Sequence, residues 1–240
     1  MKRVAAIQSN YIPWRGYLDA IAQVDEFILL DDVQYTKRDW RNRNQIKTVQ
    51  GPLWLTIPVH VKGRYLQPIN EVEVSESSWA ERHWTSLVHS YGAANCYPDA
   101  EKPIHALYEE ASTLCRLSDI NRLMLDGICR LLGIRTPMVW SSQYECGGIK
   151  SERLLSLCEA AGATEYVSGP AARSYLDVTM FNQKGITVSW LDYSDYPEYP
   201  QLHPPFESHV SVLDLLFNTA RDAPQFMKYV ERSPTRRPVS

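Results

Sequence analysis

The chain has 240 residues, enough for one medium-sized domain, and is 44% hydrophobic and 22% charged, a balance that excludes a wholly disordered chain, a collagen and a coiled-coil rod. Its net charge of −3 gives the molecule as a whole no electrostatic pull on nucleic acid, and no apolar run approaches the ~20 residues of a membrane helix.

Residues 4–7 form a short apolar run and predict a strand. The opening turns polar at Gln8, too early for the apolar core of a secretory leader, so a cytoplasmic protein is expected. Residues 8–14 are polar and include Pro13, which predicts a loop. Tyr17, Leu18, Ile21 and Val24 then recur at helical spacing over 15–24, and 26–30 reads as a buried strand ending at Asp31-Asp32. A β-α-β opening of this kind implies parallel strands and places ligands beyond their carboxyl ends. Alternation over 52–59 and 69–74, with Gly63 between, predicts a hairpin. Helices are expected over 79–91, 104–114 and 119–132, the last with Ser118 as its N-cap and Gly133 as its C-cap. Strands follow at 136–141, 165–168 and 186–191, and helices at 151–161 and 210–218, with a Tyr- and Pro-rich loop over 192–205. The expected fold is α/β: a parallel-sheet, Rossmann-like core opening with β-α-β, a β-hairpin excursion and a helical insert around 79–132. It is expected as one domain over 3–230, with a flexible tail at 231–240.

The common nucleotide, hydrolase and zinc-protease fingerprints are absent from the sequence. Five cysteines without C-x-x-C spacing read as reduced thiols, and the six histidines show no metal-ligand spacing, so no metal site is expected. Of the adjacent carboxylates at 31 and 32, strand geometry points only one into a shared site. It could serve as a general base or as a ligand for an ammonium group. Residues 37–47 hold Lys37, Arg38, Arg41, Arg43 and Lys47 against Asp39 alone, a local +4. Arginine forks there suit phosphate or carboxylate, and Trp40 could stack on a base or sugar; the same run also suits a solvated surface. Gly147-Gly148 ahead of Lys150-Ser151 reads as an anion-binding helix start or as a simple capped turn, and Ser168-Gly169-Pro170 as a tight turn exposing backbone N–H groups. Cys146, with no histidine nearby in sequence, reads as a structural thiol. His203 is the histidine best suited to acid–base work, beside Tyr199 and Gln201.

The blocks Gln8-Ser9-Asn10-Tyr11-Ile12-Pro13-Trp14-Arg15-Gly16-Tyr17, Asp31-Asp32-Val33-Gln34-Tyr35 and Trp40-Arg41-Asn42-Arg43-Asn44 occur in the order that characterises the WbqC-like family. So do Lys150-Ser151-Glu152-Arg153, Tyr166-Val167-Ser168-Gly169, Tyr199-Pro200-Gln201 and 211–218. The chain resembles that family over about residues 3–230, departing at Thr219-Ala220, where a glycine is expected soon after Asn218. The resemblance implies an accessory enzyme of surface-polysaccharide or natural-product clusters, working on an amino group. Carried onto this chain, it implies that Gln8, Asn10, Tyr11, Trp14, Asp32, Gln34, Arg38, Asn42, Arg43 and Asn44 line the site. Lys150, Ser151, Ser168, Gly169, Tyr199 and Gln201 follow as further lining residues.

The leading functional expectation is a transferase that moves an acyl or aminoacyl group onto the amine of an amino sugar or related metabolite. Asp32 or His203 would be the base, Arg38 and Arg43 the anion clamps, and Asn42, Asn44 or the Gly169 N–H the oxyanion donors, with Trp14, Trp40 and Tyr11 stacking on the ligand. The expected partner is a small molecule, a nucleotide-linked amino sugar in one version and an aminoacyl-tRNA donor in another; the cofactor and the oligomeric state stay open. The rival readings are an ATP-dependent nucleotidyltransferase or ligase, whose H-x-G-H signature is missing, and a non-catalytic carbohydrate-binding protein.

Overall fold

Runs such as Phe27-Ile28-Leu29 cannot remain in water, since each fully buried large apolar side chain contributes about 1.5–3 kcal/mol. In the computed structural model, which describes residues 1–230, such runs become the strands of a five-stranded parallel sheet. In chain order the elements are β1 (Arg3–Ile7), α1 (Arg15–Ala22), β2 (Glu26–Leu29), β3 (Arg43–Thr48), β4 (Gly51–Thr56), α2 (Trp79–Tyr91) and α3 (Tyr97–Ala111). Then come α4 (Leu117–Leu132), β5 (Met138–Trp140), α5 (Ser151–Ala160), β6 (Glu165–Ser168), α6 (Val178–Gln183), β7 (Thr187–Trp190) and α7 (Val212–Thr219).

The sheet order is β5-β2-β1-β6-β7. The chain steps from β1 to β2 to β5, then returns to the other side of β1 to form β6 and β7. The strand order therefore reverses between β1 and β6, the crevice where open α/β sheets take ligands. Side chains alternate between two cores. Ala5, Phe27 and Leu29 join the cluster that holds Leu18, Ile21, Leu125 and Phe217, while Val4, Ala6 and Ile28 join Leu155, Leu157 and Phe181 on the opposite face. Among the described residues, no helix is long and apolar enough to cross a membrane.

The α/β class and the parallel β-α-β opening are as expected; several local expectations need correction. The hairpin pairs β3 with β4, in register from Arg43 with Thr56 to Thr48 with Gly51. The end of the basic stretch, for which the sequence predicts no element, is thus a strand from Arg43 onward. Its alternation is hidden because Asn44 and Lys47 are polar yet buried beside Ile46. The expected pairing of 52–59 with 69–74 shrinks to one antiparallel bridge between Val59 and Val74, and Ile69–Glu71 winds into a 3-10 turn. Helix α3 starts at Tyr97, seven residues before the expected 104, with Pro98 in its first turn and Pro103 accommodated inside it. Helix α6 is too short to show periodicity; the Asp177 carboxylate caps it by accepting from the N–H groups of Thr179 and Met180. Gly133 does close α4, at φ +77°, but Arg116 occupies that helix's N-cap position while the Ser118 hydroxyl turns inward to Asp31. The tail at 231–240 lies outside the described residues.

Candidate functional site

Two concavities lie among the loops that leave the carboxyl ends of the strands. The first, of about 170 Å³, is polar and lies beyond β2 and β5; Asp31, Asp32, Asp119, Arg116, Trp140 and Ser141 are among its walls. The second, of about 150 Å³, is lined by Asn10, Pro13, Trp14, Trp40, Asn44 and His209. The loops after β1 and β2 therefore meet, and the Tyr11 N–H donates to the Trp40 carbonyl at 3.0 Å.

A buried polar hub holds them together. The Asp31 carboxylate, 1% exposed, accepts from the Ser9 N–H at 2.8 Å, the Ser9 hydroxyl at 2.7 Å and the Ser118 hydroxyl at 2.6 Å. The Asn121 amide donates to the Ser9 oxygen and to the Arg41 carbonyl, both at 2.9 Å. Arg41 is itself buried, and its guanidinium donates to the Gln8 and Ser9 carbonyls and to Asn10 Oδ1. Asp31 thus anchors the scaffold, and Asp32, its neighbour, faces the other way. Asp32 accepts from the Ser141 hydroxyl at 2.7 Å and pairs with Arg153 from the first turn of α5. The Nε of Arg153 is buried without a partner.

In the second cavity, the Trp14 indole lies flat over Gly16. A Cβ at residue 16 would meet the ring at 2.3 Å, so only glycine lets the indole reach this place. Tyr193 and Tyr196 hold the ring from the far side at centroid distances of 5.0 and 5.9 Å. Burial pushes the Tyr193 phenol up to about 12, which keeps it a neutral hydrogen-bonding group.

The structure brings some of the expected site residues together and leaves others apart. Asn10, Trp14, Trp40 and Asn44 share one cavity, and Asp32 lines the other. Gln8, Ser168 and Gly169 lie at the carboxyl ends of β1 and β6, at the strand-order reversal. Arg43 stacks on Trp54 at 4.1 Å, and exposed Arg38 adopts φ +60°. Gln34, on the surface, donates to the Tyr65 carbonyl. Lys150 is exposed, and Ser151, buried behind it, is not the cap of α5: Lys150 holds that position at φ +52°, and the Ser151 oxygen accepts from the Asp177 N–H.

Tyr11 has no exposed surface and cannot stack on a ligand; its hydroxyl bonds His83 and Tyr108. The Asn42 amide donates to the Ile57 carbonyl, and the Asn44 amide clamps the carbonyls of Tyr11 and Ile12. Tyr199 and Gln201 both donate to the buried Asp214 carboxylate, at 2.8 and 2.9 Å. His203 lines neither cavity. The sequence reading passes over Asp119, Arg116, Trp140 and His209, which carry no local pattern. It also passes over Arg153, whose one signal is its place in the block 150–153.

The family model described as the WbqC-like protein family matches residues 8–226. This chain belongs to the WbqC-like family. An uncharacterized protein of Mycobacterium tuberculosis is 52% identical over 230 residues, which span 95% of this chain and 99% of the relative. No solved structure matches the chain. The family match begins at Gln8, so it takes in every loop that builds the two WbqC-like cavities described above.

Proposed function

We propose that this WbqC-like protein is a transferase that places an acyl or aminoacyl group on the amine of an amino sugar or related metabolite, in surface-polysaccharide or natural-product biosynthesis. The observation that carries this reading is the polar cavity beyond β2 and β5. Asp32 and Asp119 line it together with one arginine, Arg116, and the indole of Trp140, while the Asp31 carboxylate beneath is taken up by Ser9 and Ser118. Carboxylates recognise an ammonium group, and an indole face suits the apolar face of a sugar ring.

In this mechanism, Asp32 and Asp119 receive the ammonium, and Arg153 and Ser141 fix the Asp32 carboxylate in place. One carboxylate takes a proton, and the freed nitrogen lone pair attacks the donor carbonyl carbon. The tetrahedral oxyanion that forms needs a fixed donor, for which the Gly169 N–H at the strand-order reversal is the candidate; one such donor is worth about 3 kcal/mol. As the intermediate collapses, the nitrogen gives up its second proton to the departing group, relayed by the carboxylate that took the first, so the donor's leaving group departs protonated and the amide remains.

The test is a thermal-shift series with UDP- and dTDP-linked amino sugars and their N-acetylated counterparts. At a hundred times its Kd, a ligand adds about 2.7 kcal/mol of stability. The free amines are expected to stabilise the protein more than the N-acetylated forms, which share the same nucleotide, with Asp32→Asn and Asp119→Asn abolishing the difference. Equal stabilisation by free and acetylated sugars would remove the basis for this reading.

A further inference from the structure

The run 37–47 looks uniformly basic in sequence, but the fold divides it. Arg41 is buried and engaged with backbone carbonyls, and Lys47, also buried, donates to the Pro205 carbonyl at 2.6 Å. Asp39 is engaged as well: one carboxylate oxygen accepts from the Trp40 N–H at 2.7 Å and the other lies 3.6 Å from Arg41. The cations left toward solvent are Lys37, Arg38 and, half-buried, Arg43.

Those three accompany an aromatic surface on the outer side of the β3–β4 hairpin. Trp40 is 43% exposed and Trp54 39% exposed, with ring centroids 5.4 Å apart and planes inclined at 35°. The Arg43 guanidinium lies over the Trp54 ring at 4.1 Å, donates through Nη2 to the Arg38 carbonyl, and keeps Nε buried without a partner. Trp40 also forms part of the wall of the second cavity, so the platform and that cavity are continuous.

Two indoles left half in water, one of them under the Arg43 guanidinium, with exposed Lys37 and Arg38 three and two residues before Trp40 in the chain, call for a flat, anionic occupant. A neutral sugar would use the ring faces but leave the positive charge beside them uncompensated, since the Asp39 carboxylate is already engaged by the Trp40 N–H and Arg41. A second copy of the chain would set the same cations against each other. We infer that the Trp40–Trp54–Arg43 platform is a nucleotide-binding subsite, which stacks the base on the indoles and takes the diphosphate at Arg38 and Lys37. It extends the transferase reading by giving the substrate a nucleoside diphosphate handle, and rests on that reading only for what the nucleotide carries.

The experiment is calorimetric titration of the full chain with UDP, ADP, uridine and inorganic pyrophosphate, with no amine present. The two diphosphates are expected to bind. Trp54→Ala should weaken them about tenfold or more, the usual effect of losing a base-stacking ring, and Trp54→Phe should restore most of the affinity. Arg38→Ala should weaken UDP and leave uridine unchanged. Failure of both nucleotides to bind, equal affinity for pyrophosphate alone, or an unchanged Kd in Trp54→Ala would overturn the proposal; so would concentration-dependent dimerisation lost in Trp54→Ala together with absent nucleotide binding. These outcomes are separable from the amine test, because Trp54 does not line the polar cavity and the titration uses no amine.

Discussion

Replacing Asp31 should unfasten the candidate site from the sheet. Its carboxylate accepts three short hydrogen bonds: the Ser9 N–H and hydroxyl hold the loop after β1, and the Ser118 hydroxyl holds the start of α4. A hydrogen bond to a charged group contributes about 1.5–3 kcal/mol, and three on one carboxylate do not add fully. Asp31→Ala leaves all three donors unpaired in a buried place, so a loss of about 4 kcal/mol is expected, a large share of the ~5–15 kcal/mol typical of a domain. Ser118→Ala removes one bond and should cost about 2 kcal/mol. The double variant should cost less than the sum, because once the carboxylate is gone the Ser118 hydroxyl has no such bond to lose. Equilibrium urea unfolding measures all three. A loss below about 1 kcal/mol for Asp31→Ala, or strict additivity in the cycle, would refute the assignment of Asp31 as the hub.

Two further perturbations follow from single contacts. Gly16→Ala would drive a methyl group into the Trp14 indole, which Tyr193 and Tyr196 keep from yielding; a loss of about 1–3 kcal/mol and a changed near-ultraviolet circular dichroism band are expected, and an unaltered band would contradict the packing. His83 is buried neutral: its Nε2–H faces the Thr56 carbonyl, its Nδ1 accepts from Tyr11, and burial pulls its pKa from 6.5 down to about 4. Between those values the unfolded chain binds more protons, so stability is full above pH 6.5 and is lost as pH falls toward 4, by about 3 kcal/mol in all. Burial raises the pKa of Asp19 and Asp214, whose contribution has the opposite sign, being lost as pH rises. That contribution is common to the wild type and His83→Gln, so the difference between the two unfolding free energies across this range isolates His83, and a flat difference would count against a buried neutral imidazole.

The centre of the sheet was legible because β1 and β2 are apolar runs bounded by polar or turn residues, the pattern that strands buried on both faces demand, while the edge strand β7, Thr187-Val188-Ser189-Trp190, is mixed and only half-buried. The hairpin was not legible because its first strand carries Arg43, Asn44 and Lys47, whose fates are set by distant groups. The Pro205 carbonyl receives Lys47, the Gln8 and Ser9 carbonyls receive Arg41 just ahead of the strand, and the carbonyls of Tyr11 and Ile12 receive the Asn44 amide. No local window shows where a carbonyl 30 or 150 residues away will lie. The same chemistry explains why Asn42, Tyr199 and Gln201 read as ligand-binding groups. Buried amides and phenols that satisfy backbone or carboxylate partners use the donors and acceptors that a substrate would use. Asp119 and His209 had the opposite fault, for a lone exposed residue carries no pattern until the fold supplies its neighbours.

The loops that gather the candidate site also carry three of the five positive-φ non-glycine residues among the described residues, the others being Asp195 and Ala220. Ile12, Arg38 and Lys150 have positive φ, at +35°, +60° and +52°, a region that costs a residue with a side chain on the order of 1–3 kcal/mol. Each follows or adjoins a block that builds the site: Ile12 in the loop after β1, Arg38 ahead of β3, and Lys150 at the start of α5. For two of them the compensating contact is visible. Asn44 holds the Ile12 carbonyl at 3.0 Å, and Arg43 holds the Arg38 carbonyl. Both partners come from the first two residues of β3, so the hairpin is what keeps the two strained loops against each other. A fold that needed only a stable sheet could relax Ile12 and Arg38 by lengthening their loops. That it holds them instead, with side chains from one strand, ties the hairpin to the shape of the aromatic cavity and not to the sheet, from which it is separate.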